Sequence, residues 1–276
     1  MSDPDTPATP RRASSRRGTR DLVRDPIAST LARMTGPVIG GIVTMMLFNL
    51  VDAWFIAQLG TPELAAVTMT FPVTFGVISI AIGLSIGTTA VVGRRLGRGE
   101  LETVKARTTD SSLLGRLLGL VMLVLGLASI EPLFGLLGAD DTLMPHIRDY
   151  MQVWYFGAPL VLLPRVLGSV LRAEGNTLVP SLVMAAAGVL NALLDPLLIF
   201  GIGDWQGMGV AGAALATVLS WLAMTLGLLA LPLLRARLDF RHLSVTRLVK
   251  SWREVGAIGL PAAMTSVMTP IATALV

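Results

Sequence analysis

Six nearly uncharged stretches constrain this chain more than any other feature. They cover residues 35–59, 64–92, 111–130, 150–171, 178–203 and 208–234, and none carries more than one charged side chain. A helix needs roughly 20 predominantly apolar residues to cross the hydrocarbon of a bilayer, and each stretch meets that length. A seventh begins near residue 255 and runs to Val276. Charged residues make up 14% of the chain, whereas a soluble domain carries about 25%, and the mean hydropathy is +0.70. These values predict an all-α integral membrane protein, a six-helix transmembrane bundle over 34–234 followed by an incomplete seventh helix over 255–276. Internal Gly and Pro do not argue against this, because membrane helices tolerate both better than soluble helices do.

Several functional classes are excluded early. The chain has no cysteine, which removes disulfide frameworks and thiolate metal sites. Its two histidines, His146 and His242, are far apart in sequence, so no histidine metal centre is expected. Residues 1–33 lack the apolar core of a signal peptide and read as a disordered, basic cytoplasmic tail. Lys and Arg gather in alternate connections: seven in the tail, five in "GRRLGRGELETVKAR", Arg172 after the fourth span and six in 235–254. The intervening connections "QLGTPEL" and "GIGDWQG" have none, and the third has only Arg148. Positive loops face the cytoplasm. The expected topology is therefore multi-pass in the cell (inner or plasma) membrane with a cytoplasmic N-terminus. The basic residues set topology, and no nucleic-acid partner is expected despite the formal net charge of +4. Residues 235–254 read as a basic cytoplasmic inter-lobe segment.

The seventh stretch, "GLPAAMTSVMTPIATALV", looks like the first, "TGPVIGGIVTMMLFNLVDAWF", with Pro261 matching Pro37. An even number of intervening spans would make two parallel repeats, a common transporter plan. The expectation is that the chain is a fragment or truncated frame: one whole half, with the C-terminal lobe missing.

Two acids stand well inside the spans, Asp52 and Asp195. A carboxylate at mid-helix costs about 2.5–3.5 kcal/mol on insertion scales, so such residues face a cavity or a partner. Asp52 lies 15 residues past Pro37 and Asp195 lies 15 past Pro180. Both spans run outward, so each acid stands roughly 22 Å above its proline. Asn49 is i−3 from Asp52 and Asn191 is i−4 from Asp195, which puts an amide on the helical face of each acid. Thr217 on the sixth span falls at a similar depth. Burial disfavours the charged form of a carboxyl, so an acid pair facing a wet chamber can hold a proton or exchange it for a cation. Pro196 frees the carbonyl four residues before it. The stretch "NALLDPLLIF" (191–200) reads as half of a coupling-ion site for H+ or Na+, with Na+ placed between Asp52 and Asp195 in the second case.

These residues also carry a family resemblance. "FNLVD" in the first span, "LRAEGN" after the fourth, "LNALLDP" in the fifth and "GVAGAALAT" in the sixth resemble the multidrug and toxic compound extrusion (MATE) transporters, in particular the DNA-damage-inducible F (DinF) branch. The likeness runs from Met34 to Val276 with the motif spacings intact. It implies a twelve-helix antiporter of two six-helix lobes around a V-shaped cavity, without a cofactor. Such a protein exports cationic or amphipathic small molecules in exchange for H+ or Na+. The resemblance assigns coupling to Asp52 and Asp195, polar support to Asn191 and Thr217, and a tyrosine near the second acid to Tyr150. It makes Pro37 the hinge at which the first helix bends. Gly168 departs from the pattern, because close relatives can place an amide there. Depth alone favours Tyr155 over Tyr150, while the motif spacing favours Tyr150, which is followed here.

Other readings are weaker. "GLSIG" (83–87) fits the G-x-S-x-G nucleophile pattern, but that pattern needs a strand-to-helix turn and a histidine. Mid-membrane, it reads as small-residue helix packing, so an intramembrane hydrolase acting through Ser85 is a remote alternative. "GMGVAG" (207–212) fits G-x-G-x-x-G without a βαβ unit and reads as a span entrance. Met45 and Met46 could line an adaptable surface or simply pack. A flippase for lipid-linked sugars would call for a basic cavity, and Arg116 and Arg165 are expected to snorkel outward instead.

Overall fold

A computed structural model describes residues 27–240 and 243–274 of the chain. In order, the elements are α1 (Ile27–Ala57), α2 (Thr61–Gly97), α3 (Leu101–Leu136), α4 (Met144–Phe156), α5 (Ala158–Ala173), α6 (Leu178–Phe200), β1 (Gly201–Ile202), β2 (Trp205–Gln206), α7 (Val210–Ala230), α8 (Pro232–Ala236) and α9 (Val245–Ala274). The chain is an all-α membrane bundle. Among the described residues five helices are long and apolar enough to cross a bilayer, and α4 with α5 forms a sixth span bent by 43°. The break falls at Gly157, followed by Pro159, where the ring removes a backbone donor. The six expected stretches thus correspond to α1, α2, α3, α4–α5, α6 and α7.

The boundaries differ in places. The tail was expected to be unstructured to residue 33, but residues 27–33 belong to α1; residues 1–26 lie outside the described residues. α2 and α3 run to 37 and 36 residues and extend well beyond their apolar stretches. The basic segment 235–254 is not a simple linker, because residues from Val245 onward are the first turns of α9 and continue into the seventh stretch. Between α6 and α7 sits a two-stranded hairpin, with Gly201 paired to Gln206 and Ile202 to Trp205, which apolarity gave no hint of. Gly201 has φ 84°, and a side chain there would strike the Trp205 carbonyl, so the turn depends on glycine.

Small residues decide how the helices pack. Gly83 and Gly87 of the "GLSIG" stretch meet α9 backbone to backbone: a Cβ on Gly83 would run into the Gly259 carbonyl, and one on Gly87 into that of Val255. As residue numbers rise on one helix they fall on the other, so α2 and α9 are antiparallel. The stretch is a packing stripe, as expected for glycines at a helix contact. "LRAEGN" also has a local explanation. Gly175, at φ 80°, closes α5, and the Asn176 Oδ1 accepts the Val179 N–H at 3.1 Å, satisfying an orphan donor at the start of α6.

Candidate coupling site

α1 and α6 run side by side in the same direction. The Thr177 hydroxyl donates to the Met34 carbonyl (3.0 Å), Gly41 lies against Ser181 and Met184, Phe48 packs on Gly188, and the Phe55 and Phe200 rings meet at 6.2 Å. Partners climb together, so Asp52, between Phe48 and Phe55, stands level with the interval between Gly188 and Phe200, which contains Asp195. α6 and α7 run antiparallel. Gly212 touches the Leu198 backbone and Gly227 faces Val183, which puts Thr217 level with the turn between Asn191 and Asp195. The matched depths read from residue spacing therefore recur in the packing.

The two carboxyls differ in their surroundings. Asp195 is fully buried, and its Oδ1 accepts the Asn191 amide at 3.3 Å. Its Oδ2 is buried without a hydrogen-bond partner. Asp52 is half-buried and its Oδ1 is likewise sealed and unpartnered. The expected symmetry of acid and amide is broken, because Asn49 is exposed and gives Asp52 no such bond. Each acid lies within electrostatic range of the other, and Tyr150, 6% exposed on α4, lies within range of both. Tyr155 faces elsewhere: it presses on Gly126 and has Ser129 as its side-chain partner, both on α3. Depth alone misplaced it, because depth says nothing about which way a side chain points around its helix. Thr217 is half-buried on α7 at this level. Pro37 lies inside α1, which continues through it as one helix, with Gly36 and Gly40 on open sides where even a methyl would touch nothing.

Chemically, this is a layer of oxygen ligands inside an apolar bundle. A buried carboxyl oxygen without a donor costs about 1–3 kcal/mol or more, and a proton or a small hard cation would satisfy it. The Ala192 carbonyl, whose helical donor would have been Pro196, lies one turn below Asp195 and is a further oxygen of the same kind. Among the described residues no group of three His, Cys, Asp or Glu side chains forms a metal cluster.

The family follows from comparison. The MatE family profile matches residues 37–197. The chain belongs to the MatE family. It is a transporter-family chain, not an enzyme. A FAD transporter of Shewanella oneidensis is 41% identical over 92% of this chain and 57% of its own length. The multidrug export protein MepA of Staphylococcus saprophyticus is 27% identical over 84% of the chain and 51% of its own length. Vibrio cholerae VcmN, a MATE transporter solved in its bent form, superposes with TM-score 0.81 at 32% identity, covering 90% of this chain and 56% of the other. The chain thus spans about half the length of the relatives it matches.

One charged cluster was missed in the sequence. Arg165 is half-buried on α5, two turns before Arg172 on the same face, and Arg116 is exposed. Asp110, at the edge of the third stretch, is fully buried. Its Oδ1 accepts Arg247 at 2.9 Å, its carbonyl accepts the Trp252 indole N–H at 2.9 Å, and Arg107 stands 3.9 Å from Oδ2. Arg107 also donates to Glu254 at 3.0 Å. Together these bonds tie the start of α9 to α3. The polar run "TTDSS" ahead of an apolar stretch was the available signal.

Proposed function

We propose that the protein is a secondary antiporter that exports amphipathic small molecules in exchange for H+ or Na+, with Asp52 and Asp195 as its coupling carboxyls. The observation that supports this most directly is the pair of sealed, unpartnered carboxyl oxygens on adjacent helices at one level, one braced by Asn191. Binding an ion there removes a buried charge defect, and releasing it restores one. That difference can bias a two-state bundle. Tyr150 and Thr217 border the acids and supply hydroxyls to whichever occupant is present, and Pro37 is the point at which α1 would bend. In this reading the N-terminus is cytoplasmic, the protein is a multi-pass protein of the cell membrane, and a second lobe, matching the other half of the relatives' length, completes the substrate cavity. The multidrug export protein and the FAD transporter among the relatives make a panel of drugs and FAD the first compounds to try.

The test uses everted membrane vesicles from cells expressing the gene. Transport driven by an imposed pH or Na+ gradient should disappear in Asp52→Asn and in Asp195→Asn, with each variant still present in the membrane. The gradient that drives the wild type identifies the ion. Coupled transport surviving in both variants would end the proposal.

A further inference from the structure

The interior of the bundle contains a second charged site of opposite sign. Arg165 and Arg172 stand seven residues apart on α5 and so on one face of the helix. The Arg172 Nη2 donates to the Ser85 Oγ of α2 at 2.7 Å, and the Ser85 hydroxyl in turn approaches the Arg165 carbonyl at 3.4 Å. Gly168, between the two arginines, matters here. A Cβ at this position would come within 3.3 Å of Arg172 Nη1 and 3.6 Å of the Pro180 ring on α6. The missing side chain is therefore the space into which the Arg172 guanidinium folds, which gives the departure from the family pattern at this position a physical meaning.

Neither arginine has an acidic partner among the described residues. The nearby carboxylates are committed elsewhere: Glu174 to Arg237 at 2.7 Å, Glu254 to Arg107 and Arg95, and Asp110 to Arg247. The charge that Arg172 feels most among side chains is the like charge of Arg165. Two half-buried guanidiniums of like charge with no acid between them are costly, and Arg165, inside the fourth stretch, is a charge of the kind that marks functional positions in membrane spans. Their fork of N–H donors suits the paired oxygens of a phosphate. Pro180 is 15 residues before Asp195 on α6, so the arginines sit roughly 20 Å from the acid layer, toward the opposite end of the bundle.

We infer that Arg165, Arg172 and Ser85 form an anion subsite that receives a phosphate group of the exported molecule. This rests on the export reading above and deepens it: the substrate carries phosphate, and the ion site and the substrate site are spatially separate. A phosphate could reach the subsite on a soluble nucleotide or on a lipid headgroup, and the nucleotide is the expected source.

The experiment measures binding rather than transport, so it stands apart from the coupling test. The purified protein in phosphatidylcholine nanodiscs is titrated with FAD and with riboflavin, the same fluorophore without phosphate, and flavin fluorescence is followed. The wild type should bind FAD at least tenfold more tightly than riboflavin. Arg165→Gln should weaken FAD about ten- to a hundredfold, the loss typical of a charge-assisted contact, while leaving riboflavin unchanged, and Arg165→Lys should recover part of the loss. A second arm replaces FAD with nanodiscs containing phosphatidic acid and reads thermal stabilisation of wild type against Arg165→Gln. Stabilisation confined to this arm would keep the subsite and transfer it to a lipid phosphate. Equal weakening of FAD and riboflavin, or no phosphate preference in either arm, would overturn the inference. Survival of coupled transport in both Asp52→Asn and Asp195→Asn would end the antiport reading without affecting this result.

Discussion

Replacing Gly212 with alanine tests the packing that holds the site together. Gly212 lies where α7 passes closest to α6, and a Cβ there would collide with the Leu198 carbonyl and come within 2.9 Å of the Ile199 amide nitrogen. Both are backbone groups and cannot rotate away, so α7 must retreat from α6 by roughly an ångström to reach ordinary carbon contact. Overpacking of this kind costs about 1–3 kcal/mol, and a contact made by backbone belongs at the upper end. Gly227 provides the control on the same helix pair. Its Cβ would meet the Val183 Cγ1 at 3.6 Å, an ordinary contact, and alanine gains up to about 1 kcal/mol of helix propensity over glycine. Thermal unfolding in detergent should therefore show Gly212→Ala melting several degrees below wild type and Gly227→Ala at or above it. Because α6 carries Asp195 and α7 carries Thr217, Gly212→Ala should also reduce coupled transport. Equal melting temperatures for the two variants would refute the close approach of α6 and α7.

Two further outcomes are expected. Asp110→Asn removes the negative charge that faces both Arg247 and Arg107 and should destabilise the protein by about 3 kcal/mol, the low end for a broken buried pair, because Arg247 retains 26% exposure and Arg107 keeps Glu254; limited proteolysis should then cut near Val245 faster than in wild type. In the exposed connection before α4, the Thr142 hydroxyl and the Leu143 and Thr142 N–H groups hold the Asp140 carboxyl below its usual 3.8. A depressed carboxylate stabilises the fold above its unfolded value and loses that contribution as the pH falls through the folded one. Thr142→Ala should move the Asp140 titration upward toward 3.8 by NMR, and an unmoved titration would mean that the turn does not form.

The spans were legible because a bilayer demands length and apolarity, and both are written directly in residues 35–234. Levels along the membrane normal were legible for the same reason, since residue counting converts to height; Asp52, Asp195 and Thr217 fell in one layer on that basis. Rotation about each helix was not legible. In lipid both faces of a helix are apolar, so no periodic stripe tells inside from outside, as α2 and α3 illustrate. That is why Tyr155 turned to α3 and Asn49 to an exposed face. The hairpin at 201–206 and the ion pairs of Asp110 depend on contacts between distant segments, which no local pattern encodes.

The chain contains no cysteine, so engineered pairs can report proximity without background. With Asp52→Cys and Asp195→Cys combined in native membranes, a short bifunctional thiol reagent should link α1 to α6. Asp52→Cys combined with Leu193→Cys, on the 62% exposed face of α6, should stay unlinked. Efficient linking through Leu193→Cys but not through Asp195→Cys would mean that the two acids do not share a chamber.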